Sequence, residues 1–297
     1  MSEARPAGAE PVAADQARPW RSRTWRRLRR HHLFMTGLVL FTLVLLMALV
    51  AGLVAPHDPL QNNYRYRLGA PTKVYLLGTD GFGRDVLSRV LYGTRVSLRI
   101  GLMVVVLNGI LGTLIGSTAG YFRRLDNVIM RVMDGLMAFP AILLAIALAA
   151  VLGASEVNVV LALTAAYTPR TARIVRASVL VIREMEYVQA AVAAGAGYLR
   201  ILFRHILTNS MAPLIVQLTF IFAVSVLAEA VLSFIGVGPP PPTPTWGNII
   251  ADGRNYIREA PWVSILPGIA IGITVLGLNL LGDGLRDVLD PRMRVER

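Results

Sequence analysis

The 297-residue chain contains no cysteine and a single lysine, Lys73. Without cysteine no disulfide can form, and the redox state of the compartment leaves no trace in the sequence. Lys73 lies in Ala70-Pro71-Thr72-Lys73-Val74, with no glycine before it and no Ser or Thr after it, so there is no Walker A phosphate loop. Gly81-Phe82-Gly83 lacks the third glycine of a dinucleotide fingerprint and reads as a turn. The four histidines, His31, His32, His57 and His205, are scattered, which argues against a metal centre. No nucleophile and base, and no carboxylate pair, is aimed at one place, so the expectation is a chain that is not an enzyme. Charge is scarce too. Only 16% of residues are Asp, Glu, Lys or Arg, against about 25% in soluble domains.

What fills the space is apolar: 55% hydrophobic residues and 26 glycines. A helix needs about 20 apolar residues to cross the hydrocarbon core of a bilayer. Charge-free runs of that order occupy 33–55, 100–122, 135–155, 206–228 and 260–282. A sixth, 157–169, continues its apolar pattern to 182 past Arg170, Arg173 and Arg176. The predicted fold class is therefore an all-α membrane protein with six transmembrane helices. Residues 1–32 read as a cytoplasmic basic tail, 33–55 as the first transmembrane helix, 56–95 as an extracytoplasmic segment, and 96–292 as the membrane core.

The net charge of +12 has three possible sources: nucleic acid binding, anionic lipid binding, or topology. The positions of the cations favour topology. With both termini inside (N-in/C-in), inner segments carry 20 Lys and Arg against nine outside. Eight of the inner cations precede residue 33, in a stretch that includes Trp20 and Trp25 and reads as a positive-inside anchor with interfacial tryptophans. Nucleic acid is not expected as a partner; the lipid membrane is. The outer stretch from Arg65 to Arg99 holds seven cations, for which topology gives no account.

Charges within spans are costly and carry a functional hypothesis by default. Arg131 and Asp134, at i and i+3 near the inner end of the third span, can pair with each other as a helix-end ion pair or line a pathway. Glu229, late in the fifth span, can face a water-filled cavity or serve the structure.

The inner loop 183–204 is the most informative stretch. It runs Glu186-Tyr187-Val188-Gln189-Ala190-Ala191 through Gly195 and Gly197 to Arg204. Alanine and long polar residues favour helix, and the glycines break it, so two short cytoplasmic helices joined at a glycine turn are predicted. Small side chains at Ala190 and Ala191 leave a thin ridge able to enter a cleft in another protein; an ordinary amphipathic interfacial helix is the plainer alternative.

This loop resembles the EAA motif of binding-protein-dependent ABC importer permeases, although Gln189 stands where the family has Glu and Thr208 where it usually has Pro. Leu77-Gly78-Thr79-Asp80-Gly81-Phe82-Gly83-Arg84-Asp85-Val86-Leu87-Ser88-Arg89 is similar to a stretch of the dipeptide, oligopeptide and nickel permease subfamily, specifically its C-type subunit. So are Pro242-Thr243-Pro244-Thr245-Trp246-Gly247 and the tail Leu281-Gly282-Asp283-Gly284-Leu285-Arg286-Asp287 through Asp290-Pro291. Taken on its own residues, Thr79-Asp80 reads as a turn or cap ahead of a short outer helix.

The resemblance implies a type I ABC importer transmembrane domain in the bacterial inner membrane, carrying di- or oligopeptides by alternating access. It implies four kinds of contact: a second homologous permease subunit, two cytoplasmic ATPase subunits, an extracytoplasmic substrate-binding protein, and the membrane. It also implies that Glu186, Tyr187, Gln189, Ala190, Ala191, Gly195 and Arg204 seat the ATPase. No cofactor is expected in this chain, ATP and Mg being bound by the partner ATPases. Nickel and glutathione remain alternative cargoes. A stand-alone ion-coupled transporter using Asp134 or Glu229 is the rival from another class, and it would call for an inverted repeat with paired broken helices.

Overall fold

A computed structural model describes residues 26–289. The tail 1–18, the anchor around Trp20 and Trp25, and the Asp290-Pro291 stop lie outside the described residues. Within them the chain is all-helical, as predicted, with no strand beyond an isolated bridge between Thr79 and Asp85. We number the helices α1 (His32–Val54), α2 (Val86–Tyr121), α3 (Arg123–Met137), α4 (Ala141–Leu152), α5 (Glu156–Ile182), α6 (Glu186–Ala193), α7 (Tyr198–Arg200), α8 (Thr208–Phe234), α9 (Trp246–Gly253) and α10 (Trp262–Leu289). A π-helical stretch, Ile201–Leu207, joins α7 to α8 without a break.

Local chemistry sets the helix ends. Asp85 caps α2 by accepting from the Ser88 amide at 2.9 Å, and Ser155 caps α5 through Asn158 at 3.1 Å. Thr245 and Asn248 form a reciprocal capping box at α9. α8 stops at Gly236, whose φ of +90° permits the paired Gly236–Ser233 and Val237–Leu232 bonds of a Schellman ending.

Four helical segments are long and apolar enough to cross a membrane: α1, α2, the continuous stretch Tyr198–Phe234, and α10. A fifth arises if α3 and α4 form one broken span. The expected span over 135–155 is corrected here. α3 ends at Met137, Pro140 precedes α4, and the axes bend by 88°. Proline has no amide to continue the α3 ladder and biases the preceding residue away from helix. The sixth expected span, α5, is a single helix but carries too many polar and charged residues to qualify as apolar along its length. It holds its place by packing. Val159, Ala162, Leu163 and Ala172 are fully buried.

α2 and α5 make the most extensive helix pair. Gly112, Gly116 and Gly120 recur every four residues on α2, and a Cβ at any of them would strike α5: Thr171 at Gly112, the Ala172 carbonyl at Gly116, Val179 at Gly120. Small residues at this spacing let backbones approach closely where lipid supplies no hydrophobic drive. The same device joins α1 to α10, where a Cβ on Gly37 would meet Gly277 and Leu281 and one on Gly284 would meet Phe34. Here His31, ahead of α1, lies 3.3 Å from Asp287 in the last turns of α10.

Candidate functional site: the inner loop, the broken helix and the outer clamp

Within the loop predicted to carry function, α6 is held at one end of the bundle by a single buried side chain. Val188 is 1% exposed and packs with Val179, Ile182, Ile201 and Ile206 from the end of α5 and the π-helical stretch. Around that anchor Glu186, Tyr187, Gln189 and Ala190 are exposed, and Ala191 is half-buried. The Gln189 amide donates to the Arg183 carbonyl at 2.9 Å. Gly195 lies at φ +78°, with Gly195–Val192 and Ala196–Ala191 bonds closing α6 in a Schellman turn. Arg204 is exposed on the π-helical stretch, and the His205 ring lies 6.3 Å from that of Tyr187. Tyr187, Val192, Tyr198, Leu199 and Phe203 are all at least 43% exposed, so this end of the bundle presents an uncovered apolar surface.

Nothing lies within 4 Å of a Cβ built at Gly195, so only backbone strain opposes substitution there. Gly195→Val is expected to cost about 1–2 kcal/mol, read as a lower melting point in detergent, whereas Gly195→Asn is expected to be tolerated, since Asn visits the left-handed region. Equal melting points for the two variants would contradict the requirement for the turn.

The predicted Arg131–Asp134 pair is not made. Asp134 instead accepts from Arg173 of α5 at 2.6 Å, and Arg131 is exposed with no ion pair among the described residues. Two helix-surface positions three apart can pair, but here a long arginine on the crossing helix reaches the carboxylate first. The neighbouring Arg176 holds Asp126 through two bonds, at 2.5 and 2.6 Å. Arg170, first of the series, makes no hydrogen bond or ion pair to described residues. It lines a cavity of about 330 Å³ at the α3–α4 break with Phe139, Pro140, Ala141 and Tyr167.

Glu229 is fully buried in α8. It accepts from Ser233 Oγ at 2.6 Å, with Ser97 of α2 and Thr245 at the start of α9 beside it. Ser97 and Gly116, which mark the levels of Glu229 and of the Asp134–Arg173 pair, are 19 residues apart on α2, about 28 Å along the helix. The three intramembrane polar residues therefore do not share one site.

Partners within the chain account for most of the cations between Arg65 and Arg99. Asp80, fully buried, accepts from Arg84 Nε at 2.7 Å and Arg89 Nη1 at 2.5 Å through Oδ2, while Oδ1 accepts the Phe82 and Arg84 amides. Asp252 of α9 accepts from Arg84 at 2.9 Å and lies 3.0 Å from Arg89. Arg95 binds the carbonyls of Ala48 and Leu49, Arg99 forms a bidentate pair with Glu156, and Arg67 donates to the Tyr256 hydroxyl. Five of these seven cations are thus internal fasteners, joining the segment 65–99 to α1, α5 and the α9 region. Because the helix begins at Val86 rather than near 100, Arg89, Arg95 and Arg99 stand on its first turns.

Taken together these features define a polytopic helical membrane protein with one side rigidly fastened by ion pairs and an exposed apolar loop at one end of the bundle. The family described as "Binding-protein-dependent transport system inner membrane component" matches residues 110–295, and the "N-terminal TM domain of oligopeptide transport permease C" matches residues 18–71. The chain belongs to this family of binding-protein-dependent transport permeases and is a multi-pass protein of the bacterial inner membrane. It is 56% identical over 273 residues to a putative peptide transport system permease protein of Brucella abortus, covering 92% of each chain. It is 43% identical over 277 residues to the dipeptide transport system permease protein DppC of Alkalihalophilus pseudofirmus, covering 93% of this chain and 91% of the relative. To the glutathione transport system permease protein GsiD of Pectobacterium atrosepticum it is 41% identical over 289 residues, covering 96% and 95%.

The sequence reading missed three features: the glycine ladder 112/116/120, the Asp80–Asp252 clamp and the cavity beside Arg170. The ladder was legible as a repeated four-residue glycine spacing. The other two depend on residues 172 and about 30 positions apart in the chain, and no local pattern announces such pairs.

Proposed function

We propose that this chain is one of two membrane subunits of an ATP-driven importer that takes up short peptides delivered by an extracytoplasmic binding protein. The observation that carries the cargo is the 56% identity, across nearly the whole of both chains, to a peptide transport permease. Glutathione, itself a short peptide, belongs to the same reading through the GsiD relative. The membrane core 96–292 crosses five times after the first span 33–55, giving six passes with α3–α4 as a broken one and α5 as a sheathed one. Residues 1–32 lie in the cytoplasm, and the outer segment 56–95 faces the binding protein. The closeness of His31 and Asp287 supports placing both ends of the bundle on one side, and the excess of cations there supports calling that side the inside.

The loop 183–204 is the seat of a cytoplasmic ATPase, one of two in the complex, with ATP and Mg held there and not in this chain. Glu186, Tyr187, Gln189, Ala190, Ala191, Gly195 and Arg204 form the contact, and the exposed apolar side chains around them supply the buried area. Because Val188 roots α6 in the same cluster as α5 and the start of α8, a push on α6 moves both helices together and shifts the balance between inward- and outward-open states.

Ala190→Asp tests the seat. An unpaired carboxylate brought into a desolvated contact costs about 2–5 kcal/mol. In proteoliposomes holding the complete importer, binding-protein-stimulated ATP hydrolysis and peptide uptake are expected to fall together, while the isolated chain melts as the wild type does, since Ala190 is exposed. Normal stimulated hydrolysis and uptake in this variant would overturn the assignment. A chain that transports alone, without ATPase subunits, would favour an ion-coupled transporter instead.

A further inference from the structure

Three arginines descend α5 at intervals of three residues, and α3 answers two of them: Asp134 pairs with Arg173 and Asp126 with Arg176. Arg170 has no such partner, and it stands near the middle of its helix, 14 residues from the start at Glu156. An uncompensated cation at that depth is costly unless it faces water or a ligand of opposite charge. It faces the cavity of about 330 Å³ at the α3–α4 break, a volume at the lower end of the range for small-molecule sites.

The other polar groups there are donors. Tyr167 lines the cavity and is only 4% exposed, yet its hydroxyl makes no hydrogen bond to the described residues. The 12-residue α4 begins at the cavity wall behind Pro140, with no side-chain cap, and the amides of Ala141, Ile142 and Leu143 have no partner among the described residues. Free amides at a helix start carry the positive end of the helix dipole. No acidic residue lines the cavity, since Asp134 is committed to Arg173. The remaining wall, including Met137, Phe139 and Ala166, is apolar.

A cation, a free hydroxyl and a helix start converging on one apolar cleft match a carboxylate. A pathway that passes solutes with varied side chains must hold what they have in common, and for peptides that includes the terminal carboxylate. The geometry points to this cavity as a transit site for the C-terminal carboxylate of the carried peptide, with Arg170 as its counter-charge and Tyr167 and the start of α4 as its donors. This rests on the peptide-importer reading above.

The test uses the complete importer in proteoliposomes, comparing wild type, Arg170→Gln, Arg170→Lys and Tyr167→Phe. Uptake of a short peptide is measured beside uptake of its C-terminal amide. The binding protein imposes its own preference between the two, but that preference is common to all variants, so a change in the acid-to-amide ratio reports on the membrane subunit. In Arg170→Gln the ratio is expected to fall about tenfold or more, the size of a lost charge-assisted hydrogen bond, with partial recovery in Arg170→Lys. In Tyr167→Phe it is expected to fall roughly fivefold, a single hydroxyl contributing less than a guanidinium. If Arg170→Gln fails to assemble, Tyr167→Phe decides, because it removes only a hydroxyl with no partner among the described residues.

An unchanged ratio in the assembled variants overturns the inference, as does equal loss of acid and amide, which would mark a structural role. A response that follows the anionic lipid content of the vesicle and leaves the ratio alone would assign the site to a lipid phosphate instead. Wild-type complexes that hydrolyse ATP but move no peptide would overturn the importer reading and this inference together, and the wild-type arm alone reveals that case.

Discussion

Asp80→Ala is expected to destabilise the chain by about 3–5 kcal/mol, the cost of breaking a buried ion pair from one side. Asp80 is fully buried, and the side chains of Arg84 and Arg89 are only 11% and 3% exposed. Removing the carboxylate leaves two guanidinium groups sharing the half-exposed Asp252 and frees the amides of Phe82 and Arg84, which Asp80 also satisfies. Asp252→Ala removes a carboxylate that is 34% exposed and leaves Asp80 in place, so its expected cost is nearer 1 kcal/mol. The difference is measurable as denaturation midpoints in mixed micelles. A second step separates charge from shape: adding Arg89→Met to Asp80→Ala takes one stranded cation away and is expected to restore part of the loss. Equal effects at Asp80 and Asp252, or no recovery in the double variant, would show that the cluster is a surface ion network rather than a buried clamp.

The clamp also shows where sequence reading stops. Thr79-Asp80 was legible as a turn, because Asp accepting from the amides two and four residues ahead is a local motif. That the helix it introduces is 36 residues long, starting at Val86 behind the Asp85 cap, was not, because the cations on its first turns read as loop. Those charges are tolerated because Asp80, Asp252, Glu156 and the end of α1 meet them, and these are tertiary partners. The glycine turn at Gly195 and the short helix before it followed from the local sequence, since glycine takes that backbone angle at less cost than almost any other residue. The α3–α4 break was marked by Pro140, yet the unbroken apolar run 135–155 outweighed it. Hydropathy sums over a window and is blind to direction, whereas a single proline redirects the axis by 88°. Arg170, Arg173 and Arg176 were visible as a series. Which one was left without an acid depended on where α3 crosses α5.

The seat of α5 against α2 is set by the glycine ladder, and Gly116→Leu is expected to have the largest effect on the membrane core. A Cβ at Gly116 strikes the Ala172 carbonyl and lies 2.8 Å from the Val175 Cβ. The Ala172 carbonyl belongs to the α5 backbone and cannot swing away as a side-chain end can. Sliding the helices gives no relief either, because Gly112 and Gly120 hold the turns on either side, with a built Cβ 2.7 Å from Thr171 Cβ and 2.8 Å from Val179 Cβ. The pair must separate along its whole length, at a cost of about 3 kcal/mol or more for overpacking of this kind. Separation would also move Arg173 and Arg176 away from Asp134 and Asp126, since all four are positioned by where α5 lies against α2 and α3. Gly116→Leu should therefore both lower the denaturation midpoint and abolish uptake, with Gly116→Ala intermediate. Gly272 in α10 supplies the comparison: it is also a helical glycine, but a Cβ there meets nothing within 4 Å. In the isolated chain Gly272→Leu should be neutral or stabilising by up to about 1 kcal/mol through helix propensity alone. If the two leucines behaved alike, the ladder would be a compositional accident. If they differ as expected, the close approach of α2 and α5 is what makes a span bearing three arginines stable enough to stand in the bundle.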